Sequence, residues 1–506
     1  MNRLKGFFVL LWCSAVLLAN AERINHTGRL LGPAPVITDA VLFNTPAADA
    51  FVSAMQVFPV DSAWNEDISR RPVLANSDAM IAQISSDLLS TRRTLRAFKE
   101  MNFALIPDSQ PLVSISFTDY GDESDPSPYP VPSNLPIEGW PSETDDLTLQ
   151  QWQQDINAVG GDRHSIVVQP GAGFIWETWL TLLSGGQWEA ANGAKFDLKS
   201  NTLRPASWTS GDAAGLPMFP ALPRFDECER GEIEHALRVV VKRTRAEYIY
   251  PARHAASVPY STDPNVPAMG QRLRLKSSFM IASNWTKQEK AVLTALKKYG
   301  ALVADNGNFF SISVTPDNRW PAGCFDHLST VGITNFEVVQ TTGQNEGPRS
   351  PNPPAANAGL DRTVSPGQTV TLEGNVAWIG LPTTNRWKLY SGPGTATFAD
   401  ATQTNTTVNF SGPGIYTLLL SADDGVHAVA YDAAVFTVTQ SIGVTISRSG
   451  TNALLNWSGG LAPFVIERTT ALSPQDWRPV LTNSLSSATL PLSDSAGLFR
   501  VRAQGL

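Results

Sequence analysis

Ser165-Ile166-Val167-Val168-Gln169-Pro170-Gly171-Ala172-Gly173-Phe174-Ile175-Trp176-Glu177-Thr178-Trp179 is two β-rich runs around a Pro-Gly-Ala-Gly connection. β-branched and aromatic residues suit a pleated, buried surface, and the four-residue connection predicts a hairpin. The same reading extends along residues 22–342. Leu237 to Val241 is a buried strand. Phe309 to Val314 is another, entered from Ala301-Leu302-Val303-Ala304 through Asp305-Asn306-Gly307, and Asn-Gly between apolar runs predicts a tight two-residue turn. Helical spacing is confined to two places. Met80, Ile81, Ile84, Leu88 and Leu89 mark one helix from about Ser77 to Leu89, and Val292, Leu293 and Leu296 mark another near Thr286 to Tyr299. The chain therefore reads as mainly β: a large β-rich N-terminal domain, sandwich or jelly-roll-like with a few helices, followed by two small β-sandwich domains.

Composition agrees. The 506 residues are 42% hydrophobic and 17% charged, with 37 Gly and 36 Pro, which excludes a coiled coil and a disordered chain and calls for several domains. Residues 1–21 read as a secretory signal peptide. Arg3 and Lys5 precede the apolar run Phe7 to Leu18, and Ala19-Asn20-Ala21 is a small-x-small cleavage site. That run is too short to span a bilayer, and no other segment is apolar enough. A secreted, extracellular or periplasmic location is expected. Cleavage removes two bases from a net charge of -8, leaving -10, which disfavours nucleic acid as a partner. It also leaves Cys228 and Cys324, either a disulfide in an oxidising compartment or two separate buried thiols.

Residues 343–351 lie in a Gly, Pro and Asn-rich linker. Beyond it, Pro353-Pro354-Ala355-Ala356-Asn357-Ala358-Gly359-Leu360-Asp361, Trp387 with Ser391-Gly392-Pro393-Gly394, and Gly414-Ile415-Tyr416 leading to Ala422-Asp423-Asp424-Gly425 resemble the PKD or immunoglobulin-like module of secreted bacterial proteins, over about 352–440. Tyr416, Leu418, Leu420 and Ala422 would share one strand face. The segment 441–506, with Val444-Thr445-Ile446, Ala453 to Trp457, Pro463 to Arg468 and Phe499 to Arg502 as strands, resembles fibronectin type III-like tails. These resemblances imply spacers or presenters beside extracellular enzymes and adhesins. Trp457 and Trp477 could form a carbohydrate-binding face or serve as core.

Residues 22–342 resemble an uncharacterised family of large exported bacterial proteins through Phe58 to Asn65, Asp122 to Pro126, Asp162-Arg163-His164, Phe196-Asp197-Leu198, Trp208 to Pro217, Ile233 to Arg238, Pro251-Ala252-Arg253-His254 and Ala304 to Gly307. The resemblance implies a grouping and no activity.

Any catalysis belongs to this region. It holds no Gly-x-Ser-x-Gly elbow, His-Glu-x-x-His, P-loop or Gly-x-Gly-x-x-Gly motif. Asp119, Asp122, Glu123 and Asp125 offer oxygen ligands for Ca²⁺ without EF-hand spacing, or form a solvated acidic loop. His164, His235 and His254 lie close in sequence to Asp162, Glu234, Arg238 and Arg253. A strand through 235–240 puts His235 and Arg238 on opposite faces, so one of them points inward and needs a partner, with Asp212, Asp226 and Glu227 nearest in sequence. The three histidines could instead hold Zn²⁺ or Cu²⁺ or play structural roles. Asp305 is explained by turn chemistry, whereas Asp212, in an irregular Gly-rich loop beside Trp208, suits a general acid.

Two functions follow. One is a carbohydrate-active enzyme: a glycoside hydrolase using Asp212 and Glu227, or a polysaccharide lyase using His235 or His254 as base with Arg238 neutralising an acidic sugar. The other is a non-catalytic extracellular glycan-binding or adhesion protein. Convergence of these side chains in one pocket would separate the first from the second.

Overall fold

A computed structural model describes residues 22–144, 146–256, 261–340, 353–471, 476–492 and 497–503. The expected signal peptide at 1–21 and linker at 343–351 lie outside the described residues. The chain is mainly β and divides into two compact units, Arg23–Pro351 and a second built chiefly from Asn352–Gly425 and Val429–Leu506. Among the described residues no helix is long and apolar enough to cross a membrane.

In the large unit the elements run β1 (Val41–Leu42), α1 (Pro46–Ser53), α2 (Ser77–Ser86), β2 (Leu95–Lys99), β3 (Ala104–Leu105), β4 (Ile115–Phe117), α3 (Leu149–Gln153), β5 (Ser165–Gln169), β6 (Phe174–Trp179), β7 (Leu182–Ser184), β8 (Gln187–Ala190), β9 (Asn192–Asp197), α4 (Phe225–Arg230), β10 (Leu237–Val241), β11 (Arg272–Leu275), α5 (Lys287–Lys298), β12 (Ala301–Asn306), β13 (Phe310–Val314) and β14 (Phe336–Val338). They form a five-stranded sheet, β1-β3-β5-β6-β9, a six-stranded sheet, β14-β11-β12-β10-β13-β2, and a three-stranded sheet, β4-β8-β7. The two larger sheets are mixed, with parallel pairs β3-β5, β10-β12 and β13-β2.

The predicted hairpin forms, β5 against β6 with Gln169 opposite Phe174. It is buried on both faces, which explains why the run 165–169 is apolar rather than alternating. Ile166, Val168 and Ile175 enter the main core, which the six-stranded sheet also lines through Leu237, Val239 and Leu273. Val167 and Trp176 face a second core around Tyr129, Ile137 and Trp188. Emptying one such site, as in Ile166→Ala, costs about 2–5 kcal/mol.

Both predicted helices are present, the first ending earlier than the pattern suggested, at Ser86. In α5, Thr286 and Glu289 form a capping box, Val292, Leu293 and Leu296 are buried, and Lys297 and Lys298 sit at the negative end of the helix dipole. Gly300 follows with φ +68°, where a Cβ would lie 2.3 Å from the Leu273 carbonyl oxygen. Only glycine fits that close approach.

The Asn306-Gly307 expectation needs correction. β12 and β13 do not pair, because β10 lies between them, parallel to β12 and antiparallel to β13. The Gly307 N–H donates to the Val241 carbonyl at 2.8 Å, so the chain continues its ladder on β10 before passing over that strand's end. A tight turn would have excluded β10 from the sheet centre, where its apolar residues are buried on both faces.

The second unit holds two cores, the first lined by a four-stranded, a three-stranded and a two-stranded sheet and the second enclosed between two three-stranded sheets. In the first, Trp387, Tyr416, Leu418, Leu420 and Phe436 are buried, and Ala422 on the same face as Tyr416 is buried too. Gly392-Pro393-Gly394 and Gly412-Pro413-Gly414 each join strands of different sheets: a Cβ on Gly392 would strike the Tyr416 ring, and the Tyr416 hydroxyl donates to the Gly412 carbonyl at 2.9 Å. In the second core Trp457 packs edge-on to Phe464 at 5.4 Å with Leu455 and Ile466, while Trp477 lies half-buried under Arg500. Trp457 is core, so the two tryptophans form no common binding face.

Candidate functional site

Arg238 lies on β10, at the centre of the six-stranded sheet, and its side chain is 2% exposed. A buried guanidinium requires a full set of acceptors. Asp212 supplies two, bonding Nε and Nη2 at 2.8 Å each, and is itself fully buried. Nη1 donates to Ser313 Oγ on β13 at 2.5 Å, and that hydroxyl donates to Glu100 at 2.6 Å. Asp305 is 4.0 Å from Nη2 and keeps 28% of its side chain in solvent.

Asp305 reaches this face through a bulge. Val239 is opposite Val303 and Val240 is opposite Asp305, so Ala304 is the extra residue. Its carbonyl, turned out of the ladder, accepts the Ala214 N–H at 2.9 Å. With regular pairing Asp305 would fall opposite Val241, on the other face from Arg238. The loop carrying Asp212 is thus tied to the strand carrying Asp305. It is closed further by Ser210 Oγ, which lies 2.8 Å from the Asp212 carbonyl and 2.7 Å from the Leu216 carbonyl and accepts the Asp212 N–H, and by Gly215 at φ +69°.

His164, at the entry to β5, completes the cluster. Its Nδ1 faces Glu138 at 2.7 Å and its Nε2 faces the Gly211 carbonyl at 2.8 Å. Burial opposes charge here, but the Glu138 carboxylate outweighs it and lifts the imidazole to about 9, so both nitrogens donate. Burial would likewise raise Glu138, yet the His164 cation holds it below the usual carboxylate range. Glu100 moves the other way, pushed up to about 7 by burial and by Glu138 against the Ser313 hydrogen bond. Asp305 is also pushed up to about 7, by burial and by Asp212, against the pull of Arg238. Beneath them Glu177 on β6, fully buried, accepts the Met218 and Phe219 N–H groups, and burial raises it to about 7. The centre therefore couples a fixed cation pair to carboxyl groups that exchange protons near neutrality.

The residues nominated from sequence fall in three places. Asp212 and Arg238 pair with each other, which makes Asp212 the counter-ion of the buried guanidinium. Glu227 and His235 belong to a separate cluster around α4: Glu227 bonds Arg224 at 2.5 Å and His235 Nε2 at 3.2 Å, while His235 Nδ1 faces its neighbour's carbonyl, Ala236 O, at 2.9 Å. Burial opposes its charge, but Arg224 and His235 hold Glu227 below the usual range. His254 Nδ1 bonds the Ala213 carbonyl at 2.7 Å and its N–H donates to Ala214, bracing the Asp212 loop. Asp212 and Glu227 are not a facing pair. Neither His235 nor His254 converges with His164 as a metal set, and among the described residues no group of three His, Cys, Asp or Glu side chains could hold a metal.

The acidic loop also binds within the protein. Asp125 accepts Arg204 and the Lys195 N–H, and Glu123 accepts the Thr209 N–H. Two of its four carboxylates, Glu123 and Asp125, are thereby engaged by groups of the protein itself. Cys228 and Cys324 are free thiols, which corrects the disulfide alternative. Each is packed in the main core, and burial pushes both thiols up. Sequence reasoning missed Glu100, Glu138 and Glu177. Only Glu177 carried a local signal, a carboxylate inside an apolar strand.

No family model matches the chain. Solved structures similar to parts of it include the PKD domain of human KIAA0319, 20% identical over 20% of this chain and 91% of that one, with a TM-score of 0.16. A run of titin domains is 14% identical over 33% of this chain and 73% of that one, TM-score 0.15. The insect immune protein hemolin is 13% identical over 40% of this chain and 51% of that one, TM-score 0.15.

Proposed function

We propose that the chain is an exported carbohydrate-active protein whose large unit hydrolyses glycosidic bonds at the Arg238 centre, with the sandwich unit as spacer or presenter. One observation carries the reading: Asp305 and Glu100, both partly exposed and both drawn to about 7, flank the buried Asp212–Arg238 pair. A carboxyl group that is half protonated near neutrality suits proton transfer in either direction. Asp305 is assigned the general acid, giving its proton to the leaving oxygen as the glycosidic bond breaks. Glu100 is assigned the second carboxyl, taking a proton from the water that attacks the sugar carbon. Asp212, Arg238, Glu138 and His164 are positioning residues that hold the two carboxyls and their local field. A lyase using His235 finds no support, because Nδ1 faces the Ala236 carbonyl and Nε2 faces Glu227, so neither ring nitrogen is left to take a substrate proton.

The test is reducing-end release from a panel of neutral polysaccharides by the full chain, beside Asp305→Asn and Glu100→Gln. Each substitution is expected to lower turnover about 10²–10⁴-fold with the fold retained. The separation of Glu227 and His235 from Arg238 favours the second reading, an adhesion or glycan-binding protein. Glycan binding without any release of reducing ends would establish that reading and overturn the first.

A further inference from the structure

The sheet face that carries Arg238 extends beyond that residue. The registers across β12, β10, β13 and β2 put Asp305, Val240, Ser311 and Arg96 in one row, and put Ser313 level with Phe98. Partners on neighbouring strands project to the same face, so Arg96 and Phe98 stand on the side of the sheet that holds Arg238. Strands are spaced about 4.8 Å apart, which places the Arg96 backbone about 14 Å from Asp305 along the row. Val240, Arg96 and Phe98 each keep part of their surface in solvent.

This open part of the face is aromatic and cationic. The Phe98 and Phe309 rings meet edge to face with centroids 5.3 Å apart. The Arg92 guanidinium lies 4.4 Å from the Phe309 ring centre and donates to the Asn308 carbonyl, and exposed Lys242 donates to the Asn308 side chain at 2.6 Å. Among the described residues Arg92, Arg96 and Lys242 have no carboxylate partner. Other arginines of the unit are matched: Arg204 by Asp125, Arg274 by Glu337, Arg319 by Asp49 and Asp317. Three unmatched cations on one face of a chain with net charge -8 make a local positive field, and an arginine fork fits a carboxylate through two hydrogen bonds. At the centre itself the sign differs. The Asp212–Arg238 and Glu138–His164 pairs cancel, which leaves the partial negative charge of Asp305 and Glu100 to repel an anion. A sugar chain laid along the row would thus be favoured uncharged at one end and anionic at the other, with aromatic rings beside it to take a C–H face.

We infer that the face beside the Arg238 centre binds a carboxylated sugar unit, a uronic acid, through Arg96, Arg92 and Lys242 against Phe98 and Phe309, so that the glycan taken by the protein is an acidic heteropolysaccharide with a neutral unit at Asp305. The inference rests on the hydrolase reading for the neutral unit alone, and the carboxylate preference is read by binding, without turnover. Short oligomers of galacturonate, glucuronate and mannuronate, each beside its methyl ester, are titrated into the full chain and followed by calorimetry, with polyglutamate as a carboxylated polymer that is not a sugar. At least one acid oligomer should bind, and its ester, which keeps the ring and loses the charge, should bind about tenfold more weakly. Arg96→Gln should weaken binding of the acid by a similar factor, and Lys242→Gln, at an exposed charge, by about threefold. Lys287→Gln removes a cation of α5 that pairs with Glu229 and should leave this binding unchanged. Equal binding of acid and ester, equal binding by wild type and Arg96→Gln, polyglutamate bound as tightly as the best acid oligomer, or no acid oligomer bound would each overturn the inference. Reducing-end release is followed in the same samples. Acid-selective binding without release keeps the carboxylate site and counts against the hydrolase, whereas release with no preference for the acid does the reverse.

Discussion

Replacing Asp212 by Asn removes the charge from a bidentate pair that is wholly out of water and leaves Arg238 uncompensated. Breaking a buried pair from one side costs about 3–5 kcal/mol, because the remaining ion keeps its desolvation penalty. Asn retains one acceptor but turns an amide N–H toward a guanidinium, so the lower end, ~3 kcal/mol, is expected. The loss should depend on pH, because Asp305 is the next carboxyl, 4.0 Å from Nη2. In the wild type Asp212 helps push Asp305 up to about 7, a shift that removes stability as pH rises through about 7. In the variant Asp305 loses that repulsion and becomes the counter-ion, so it ionises at lower pH and escapes this loss. The gap between the two proteins should therefore narrow by ~1–2 kcal/mol from about pH 5 to about pH 8, allowing for solvent screening at Asp305. Hydrogen exchange of the full chain, read on peptides covering β10 and β12 and corrected for intrinsic rates, isolates this sheet from the other unit. A loss under about 1 kcal/mol, or a gap that widens with pH, would refute the electrostatic account.

Two further outcomes follow from the same geometry. Glu100 and Glu177, raised to about 7, contribute stability that is full below about pH 4.5 and lost as pH rises through about 7; His164, raised to about 9, contributes stability that is full below about 6.5 and lost through about 9. The melting temperature of the large unit, measured by calorimetry, should fall steadily from about pH 6 to about pH 9, and a rise over that interval would contradict these assignments. Cys228 and Cys324 should both react with a thiol reagent in denaturant and neither in the native protein, with no change in melting temperature on adding a reductant; a native protein lacking both thiols would restore the disulfide.

What could be read from the sequence was local. The β5–β6 hairpin needed only two apolar runs and a Gly-rich connection, and α5 announced itself through Thr286, Glu289 and its apolar stripe. Arg238 was recognisable as a buried ion in need of a partner because it interrupts an apolar strand, and Asp212 was among the acids considered. Its other partners were not, since Glu100, Glu138 and Ser313 stand on segments far apart in the chain whose own patterns give no sign of the meeting. Asn306-Gly307 misled for the same reason. Its local turn preference is real, but burying β10 at the sheet centre is worth more than a tight hairpin, and tertiary packing overrode the turn.

The bulge at Ala304 shows why the two carboxylates of the centre cannot be understood separately. A regular strand would send the Ala304 carbonyl into its ladder and turn Asp305 away from Arg238. Spending one residue outside the ladder does two things at once: it frees that carbonyl to hold the Ala214 N–H, and it rotates Asp305 onto the arginine's face. The first fixes the loop that carries Asp212; the second partly buries Asp305 beside that carboxylate, and burial together with the Asp212 charge lifts it to about 7. A structural role alone would be served by Asp212, since one bidentate carboxylate already neutralises Arg238. The second, partly exposed carboxyl is held at about 7 by burial and by Asp212 against the pull of Arg238, which is the property the proposed proton transfer at this centre rests on.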